Sequence, residues 1–246
     1  MKSAVLLFVK KVYFIIKQRV FRGRLKYFYV KKRSNILVVV FSGFPADDVP
    51  RYNYVRTLKD VKVSQLFILD DFGHRGSYYL LEKGSSYPAE LTESLINRIV
   101  NDDGYKTLII AGSSKGGTAA IYFGLQCNAS EVYAGACQYY IGDYLSQPEY
   151  APIVMGMTGR EPTREVVDSL NNLMPLQLRA HTNSNTIIHL LYSRNEHTYK
   201  EHIIGLIADL RKYGIPYDEV LEHFADHNEV GKFFSSYLKD ELSKIV

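Results

Sequence analysis

The chain has 246 residues, of which 46% are hydrophobic and 23% are charged, the proportions of an ordinary globular protein. These values exclude a collagen, a coiled coil and a mainly disordered chain, and two cysteines are too few for a disulfide scaffold or a four-cysteine zinc site. Residues 1–33 contain eleven Lys and Arg and no acid, which leaves 19 basic and 26 acidic residues in 34–246. Because this body is mildly acidic, we expect no nucleic-acid partner.

Residues 1–24 are predicted to form a basic amphipathic helix, with apolar residues on one face at Leu6, Val9, Tyr13, Ile16 and Val20. The apolar run at 4–9 is far shorter than the roughly 20 residues of a membrane span, and no small-residue cleavage site follows it. We therefore expect a cytoplasmic protein. The helix either lies on an anionic membrane at the inner face of the cell membrane, or packs on the domain or on a second subunit of a homo-oligomer.

Strand-type and helix-type segments alternate from residue 25 to the end. Strands are predicted over 25–30, 36–41, 64–69, 107–111, 132–137, 186–192 and 219–224, with the first two joined as a hairpin by residues 31–35. Helices are predicted over 90–100, from the glycine turn at 112–117 to residue 125, over 200–213 and over 229–245. This alternation predicts an α/β domain over 25–246, with a mainly parallel sheet, helices on both faces and a small helical cap inserted at about 138–182.

The sequence GSSKG at residues 112–116 fits the G-x-S-x-G nucleophile turn, and it stands between a predicted strand and a predicted helix. In that turn the serine, here Ser114, is held in a strained conformation with its hydroxyl exposed above the sheet. A phosphate-binding loop is the alternative, but the Walker pattern places its lysine after the glycines and Lys115 precedes Gly116 and Gly117.

A nucleophilic serine in this fold class needs a later histidine as its base and a carboxylate between the two in sequence. His227 stands between the last predicted strand and the last helix, whereas His223 is predicted to fall inside that strand. Glu196 is the carboxylate in the loop after the preceding strand. Asp209, in mid-helix, and Asp226, beside the histidine, are poorer candidates to orient it.

The oxyanion formed on attack needs backbone N–H donors. One is predicted to be the amide of Lys115, directly after the nucleophile, and the other the amide of Gly43 or Phe44 in the loop after an early strand. The Lys115 side chain is expected either to meet an anionic substrate or to cover a solvated helix face.

Four short strings together resemble one family: FSGFP with YNY at 41–54, RGSYY at 75–79, GSSKGG at 112–117 and HNE at 227–229. The set resembles bacterial capsular-polysaccharide O-acetyltransferases of the α/β-hydrolase fold and, more distantly, the accessory secretion protein that acetylates glycans on exported adhesins. The resemblance covers about residues 25–240. It implies a catalytic triad of Ser114, Glu196 and His227, although capsule relatives carry Asp in place of Glu196.

The same resemblance implies a ping-pong reaction without a metal, in which acetyl-CoA acylates Ser114 and a hydroxyl of a surface polysaccharide or glycan removes the acetyl group. Arg75, Tyr78 and Tyr79 lie in the shared RG-x-YY string, where they either shape the substrate cleft or brace the nucleophile turn. An esterase or deacetylase would use the same triad with water as acceptor. A non-catalytic scaffold of a polysaccharide or secretion complex is the third hypothesis.

Overall fold

The computed structural model describes residues 17–45 and 48–245 of the chain. The strands are β1 (Arg19–Phe21), β2 (Leu25–Val30), β3 (Ile36–Phe41), β4 (Ser64–Ile68), β5 (Thr107–Ser113), β6 (Glu131–Gly135), β7 (Ile187–Ser193) and β8 (Tyr217–Glu222). The helices are α1 (Tyr87–Asp103), α2 (Lys115–Gln126), α3 (Ile141–Tyr144), α4 (Ala151–Thr158), α5 (Arg164–Asn171), α6 (Leu173–Ala180), α7 (Ile204–Lys212) and α8 (Val230–Lys244). A π-helical turn at Tyr199–Ile203 leads into α7, and a 3-10 turn at His227–Glu229 leads into α8.

The strands form one eight-stranded sheet in the order β1-β2-β4-β3-β5-β6-β7-β8. Every pairing from β4 to β8 is parallel, and only β1 and β2 run antiparallel to their neighbours. Inner strands such as β4 are buried along their whole length, because helices cover both faces of a parallel sheet. The predicted α/β class and mainly parallel sheet are confirmed.

Alternate side chains of each inner strand serve two separate cores. In β3, Val39 belongs to the core shared with helices α1, α2 and α7, while Val38 belongs to the core beneath α8. This two-residue period is what a strand between two helical layers requires. Helices α3 to α6 lie between β6 and β7, which confirms the predicted helical insertion.

The predicted hairpin between residues 25–30 and 36–41 is wrong. Strand β4 lies between β2 and β3, pairing antiparallel with β2 and parallel with β3. The physical reason lies in burial: β3 is apolar on both faces and needs a neighbour on each side, whereas β2 is only partly buried and suits a place near the edge. Turn-like residues between two strands do not by themselves decide pairing.

Two further predictions need correction. Strand β8 ends at Glu222, so His223 lies just outside it and is exposed. Residues 19–21 form strand β1, antiparallel to β2, so a helix does not continue to residue 24. Residues 1–16 of the predicted helix lie outside the described residues, and its association with a membrane or a second subunit stays a prediction. No helix in the described part of the chain is both long and apolar enough to cross a bilayer.

Candidate active site

The turn between β5 and α2 holds Ser114 in a conformation that few residues adopt. Its φ is 53° and its ψ −129°, outside the regions open to most L-residues. Such strain persists only where the surroundings impose it, and it is typical of the nucleophile turn. A Cβ on Gly112 would lie 2.2 Å from the carbonyl oxygen of Gly116, and a Cβ on Gly116 2.7 Å from that of Phe41. Both positions therefore accept only glycine.

The structure brings the side chains of Ser114, His227 and Glu196 together. The Oγ of Ser114 is 2.8 Å from Nε2 of His227, and Nδ1 of His227 is 3.1 Å from Oε1 of Glu196. Ser114 follows β5, Glu196 follows β7 and His227 follows β8, so one edge of the sheet collects all three. His227 is the first residue of the 3-10 turn capped by Asp226, whose carboxylate accepts the amide of Asn228.

Glu196 is a buried carboxylate, and both of its oxygens have a hydrogen-bonding partner nearby. Its Oε1 faces His227 and also lies 3.1 Å from Nε2 of the half-exposed His197, and its Oε2 accepts the hydroxyl of Thr198. Burial on its own would raise the pKa of Glu196, but the hydrogen bonds from His227 and Thr198 outweigh it and the pKa is lowered. Glu196 is therefore ionised at neutral pH and able to hold an imidazolium.

Glu196, His197 and His227 also offer three donor atoms within 4.8 Å of one another, a spacing that a metal ion could use. The same atoms are accounted for by hydrogen bonding, since Nδ1 of His227 faces Glu196 while Nε2 faces Ser114. A metal on Nδ1 would displace the carboxylate that orients the ring. The hydrogen bonds of Glu196 and His227 therefore explain their positions without a metal ion.

Sequence reasoning missed one side chain that touches the hydroxyl of Ser114. The side chain of Gln138 is fully buried, and its Nε2 donates to Oγ of Ser114 at 2.9 Å. Thr118, one turn along α2 from Ser114, accepts the backbone amide of Gln138 and donates to its carbonyl oxygen, both at 2.9 Å. The available signal was position: residue 138 closely follows β6, the strand beside β5, at the sheet edge that carries Ser114.

The predicted oxyanion donors lie around the same turn. Lys115 is the first residue of α2, where an amide has no partner within its own helix. Gly116 brings α2 against the backbone of Phe41 and Ser42, which places the loop after β3 beside the nucleophile turn. Among the described residues, the amides of Gly43 and Phe44 donate to no protein acceptor.

The side chain of Lys115 lies in neither of the two environments expected for it. It is fully buried, and its Nζ is 2.6 Å from Oδ2 of Asp70, which is buried as well. Burial lowers the pKa of Lys115, against the opposing effect of the Asp70 charge. Oδ2 of Asp70 also accepts the amides of Ser77 and Tyr79. Lys115 therefore fastens the nucleophile turn to the chain segment at 70–79.

That segment contains the three residues of the RG-x-YY string. Tyr78 and Tyr79 are fully buried, and the hydroxyl of Tyr79 accepts the amide of Ser42 at 2.9 Å and donates to the carbonyl of Ile68 at 2.9 Å. The Nη2 of Arg75 donates to the carbonyl of Pro45 at 2.9 Å. These contacts hold the loop after β3, which packs against the turn at 112–117, so they favour a bracing role over the shaping of a substrate cleft.

The buried Lys115–Asp70 pair supplies a prediction for stability. Lys115→Met should lower the free energy of unfolding by about 3–5 kcal/mol, because it leaves an unpaired charge in the core. Adding Asp70→Asn should recover much of this loss, since asparagine retains an oxygen for the amides at 77 and 79. Denaturant unfolding of the single and the double variant measures their free energies of unfolding. Arg164→Met, which breaks the exposed Arg164–Asp168 pair, is the control and should cost about 0.5 kcal/mol or less. An equal loss in Lys115→Met and Arg164→Met would contradict the prediction.

Aromatic rings line the cap side of the site. Phe44 stacks on Tyr144 and Tyr150 at centroid distances of 6.4 and 6.3 Å, and Tyr144 lies 6.4 Å from the ring of His227. All three rings are partly exposed. Tyr144 ends α3, so the helical insertion contributes a ring directly beside His227.

The sheet order, the strained serine turn and the order of serine, acid and histidine along the chain define an α/β-hydrolase fold. No protein-family model matches the sequence, and no curated protein sequence matches it either. Solved structures do. A mutant of the capsule O-acetyltransferase of Neisseria meningitidis serogroup A, in complex with CoA, is similar at a TM-score of 0.78 and 19% identity, over 92% of this chain and 94% of that one.

Two other structures share the fold. The Glycosylation Associate Protein (Gap123) complex of Streptococcus agalactiae is similar at a TM-score of 0.71 and 20% identity, over 92% of this chain and 46% of that one. A substrate-bound, fluorophosphonate-binding serine hydrolase of Staphylococcus aureus is similar at a TM-score of 0.63 and 15% identity, over 89% of this chain and 91% of that one. The resemblance read from the sequence is thus confirmed at the level of fold, and at these identities fold is what the similarity establishes.

Proposed function

We propose that this protein is an O-acetyltransferase that moves an acetyl group from acetyl-CoA, through an ester on Ser114, to a hydroxyl of a bacterial surface polysaccharide or glycan. The observation that carries the proposal is the continuous hydrogen-bonded chain from Glu196 through His227 to Oγ of Ser114. The structural similarity to a CoA-bound capsule O-acetyltransferase supports the donor and the class of acceptor.

In the first half-reaction, Oγ of Ser114 attacks the thioester carbonyl carbon of acetyl-CoA while its proton passes to Nε2 of His227. The carbonyl π electrons move to oxygen, and the amides of Lys115 and of Gly43 or Phe44 receive the oxyanion. Collapse restores the carbonyl and breaks the C–S bond, and the CoA thiolate takes the proton from His227. Glu196 stabilises the imidazolium throughout.

In the second half-reaction, an acceptor hydroxyl gives its proton to His227 and attacks the acetyl carbonyl on Ser114. The C–O bond to Ser114 then breaks, and Oγ takes the proton back from Nε2 of His227. Water in place of the sugar would make the same chemistry an esterase. The aromatic wall of Phe44, Tyr144 and Tyr150 favours transfer, because it offers an acceptor sugar ring an apolar surface beside His227.

The proposal predicts that purified protein releases CoA from acetyl-CoA faster when a polysaccharide acceptor is present. Thiol release measures turnover, and mass analysis of the digested polysaccharide locates the O-acetyl groups. A panel of capsule-type polysaccharides with free hydroxyls serves as acceptor, and the same polymers already acetylated serve as the matched control. Rapid removal of acetyl groups from the acetylated polymers, with no transfer to the free ones, would establish the esterase instead.

A further inference from the structure

Gln138 is a buried side-chain amide in contact with the reacting oxygen, and the triad chemistry above gives it no role. Its side chain is fully buried, and Nε2 lies 2.9 Å from Oγ of Ser114. A serine hydroxyl has one proton and two lone pairs. In the resting site the proton is directed to His227 and one lone pair accepts from Gln138, which leaves the other lone pair to attack a carbonyl carbon.

We propose that Gln138 is a third hydrogen-bond donor of the catalytic site, directed not at the carbonyl oxygen but at the serine oxygen itself, where it stabilises the negative charge that Oγ carries as its bond to the acyl carbon forms and breaks. The inference rests on the proposed role of Ser114 as the nucleophile. It adds a catalytic residue that neither the turn motif nor the family resemblance contains.

Charge on Oγ determines when this hydrogen bond is strongest. As the proton leaves for His227, Oγ becomes partly negative, and a hydrogen bond to a charged acceptor is roughly twice as strong as a neutral one. In the acyl ester, Oγ bridges two carbons and is a poorer acceptor. When the C–Oγ bond breaks in the second half-reaction, the electron pair returns to Oγ and the bond strengthens again. A donor placed here therefore stabilises both transition states more than the intermediate between them.

The backbone around Gln138 is anchored to the helix that carries the nucleophile. The Thr118 hydroxyl bonds both the amide and the carbonyl of residue 138, and Thr118 lies one turn along α2 from Ser114. Nucleophile and donor are thus fixed to one rigid element. This matters because the rate of a chemical step depends steeply on the placement of the reacting groups.

The test compares Gln138→Leu and Gln138→Glu with the wild-type protein in their reaction with a fluorophosphonate. In this reaction Oγ attacks phosphorus, fluoride leaves with the P–F electron pair, and the serine proton passes to His227. The probe reports Ser114 reactivity without any acetyl donor or acceptor. We expect Gln138→Leu to lower the second-order rate constant about 10- to 100-fold, as the loss of a hydrogen bond to a charged group requires. Gln138→Glu should lower it further at pH 8, because an ionised carboxylate has no proton to donate and repels charge on Oγ.

Gln177→Leu is the matched control, since Gln177 is also buried and donates to a main-chain carbonyl, that of Tyr122, at 3.0 Å. It should react at the wild-type rate, and thermal unfolding of each variant separates lost reactivity from lost folding. Two results would overturn the inference about Gln138 while leaving the proposed function intact, provided that the wild-type protein is labelled at Ser114. In one, Gln138→Leu reacts at the wild-type rate. In the other, Gln138→Glu reacts faster than Gln138→Leu. A folded wild-type protein that is not labelled at Ser114 overturns both the inference and the proposed function.

Discussion

Ser114→Ala should lower CoA release from acetyl-CoA by about 10⁶-fold, the size of the loss found when the nucleophile of a serine triad is removed. The variant lacks the hydroxyl oxygen that lies 2.8 Å from Nε2 of His227. Without it, His227 has no proton to accept and no acyl ester forms. Thiol release under saturating acetyl-CoA and acceptor measures the effect, and the variant should fold normally because one oxygen atom is removed.

The neighbouring serine provides the matched control for that variant. Ser113, the last residue of β5, is buried, and its hydroxyl bonds that of Tyr54 and not His227. Ser113→Ala should therefore retain activity and lose about 1–3 kcal/mol of stability, since the Tyr54 hydroxyl is left without that partner. If Ser113→Ala and Ser114→Ala were equally inactive while both remained folded, the assignment of the nucleophile would be wrong.

Glu196→Gln should lower kcat by about 10⁴-fold, the effect known for the equivalent change in a serine protease triad. The carboxylate accepts a proton from Nδ1 of His227, whereas the amide nitrogen of glutamine would donate to that atom. The imidazole would then carry its proton on Nε2, facing Ser114, and could not accept the serine proton. Glu196→Asp should retain far more activity, because an aspartate accepts from Nδ1 in the same sense. Steady-state kinetics on the three proteins measures the difference.

Glu201→Gln is the control for this series, because Glu201 bonds Nδ1 of the half-exposed His197 and does not contact His227. It should change kcat by no more than a few-fold.

The lowered pKa of Glu196 adds a pH dependence to the stability of the protein. When the pKa of a carboxylate is lower in the folded protein than in the unfolded chain, the ionised group stabilises the folded protein. This stabilisation is complete above the pKa in the unfolded chain and is lost as the pH falls through the pKa in the folded protein. The difference in unfolding free energy between wild type and Glu196→Gln should therefore shrink below about pH 4. A constant difference from pH 7 to pH 3 would contradict this electrostatic account.

The sequence predicted strands β2 to β8 and the three residues now found together because both depend on short-range signals, whereas β1 lies where a helix was predicted. Apolar runs such as 36–41 are recognisable without their neighbours, and His227 and Glu196 were placed by their position just after strands, at the edge where a parallel sheet collects its loops. The serine turn is visible because Gly112 and Gly116 have no space for a Cβ.

The features that sequence did not predict depend on contacts between distant segments. The place of β4 between β2 and β3 follows from the burial of β3, which no turn residue encodes. Lys115 reads as an exposed or substrate-binding cation until Asp70, 45 residues earlier, is found beside it in the core. Gln138 could not be distinguished from other polar residues of the cap, because its role depends on the packing of β6 against β5.

The proposed function depends on covalent acetylation of Ser114, which an intact-mass measurement of the quenched protein detects. Wild-type protein mixed with acetyl-CoA in the absence of acceptor should gain one acetyl group, which peptide mapping should place on Ser114 and which added polysaccharide should remove. Ser114→Ala should gain none. Transfer to polysaccharide without an acetylated form of Ser114, at any quench time faster than turnover, would show direct transfer and contradict the account.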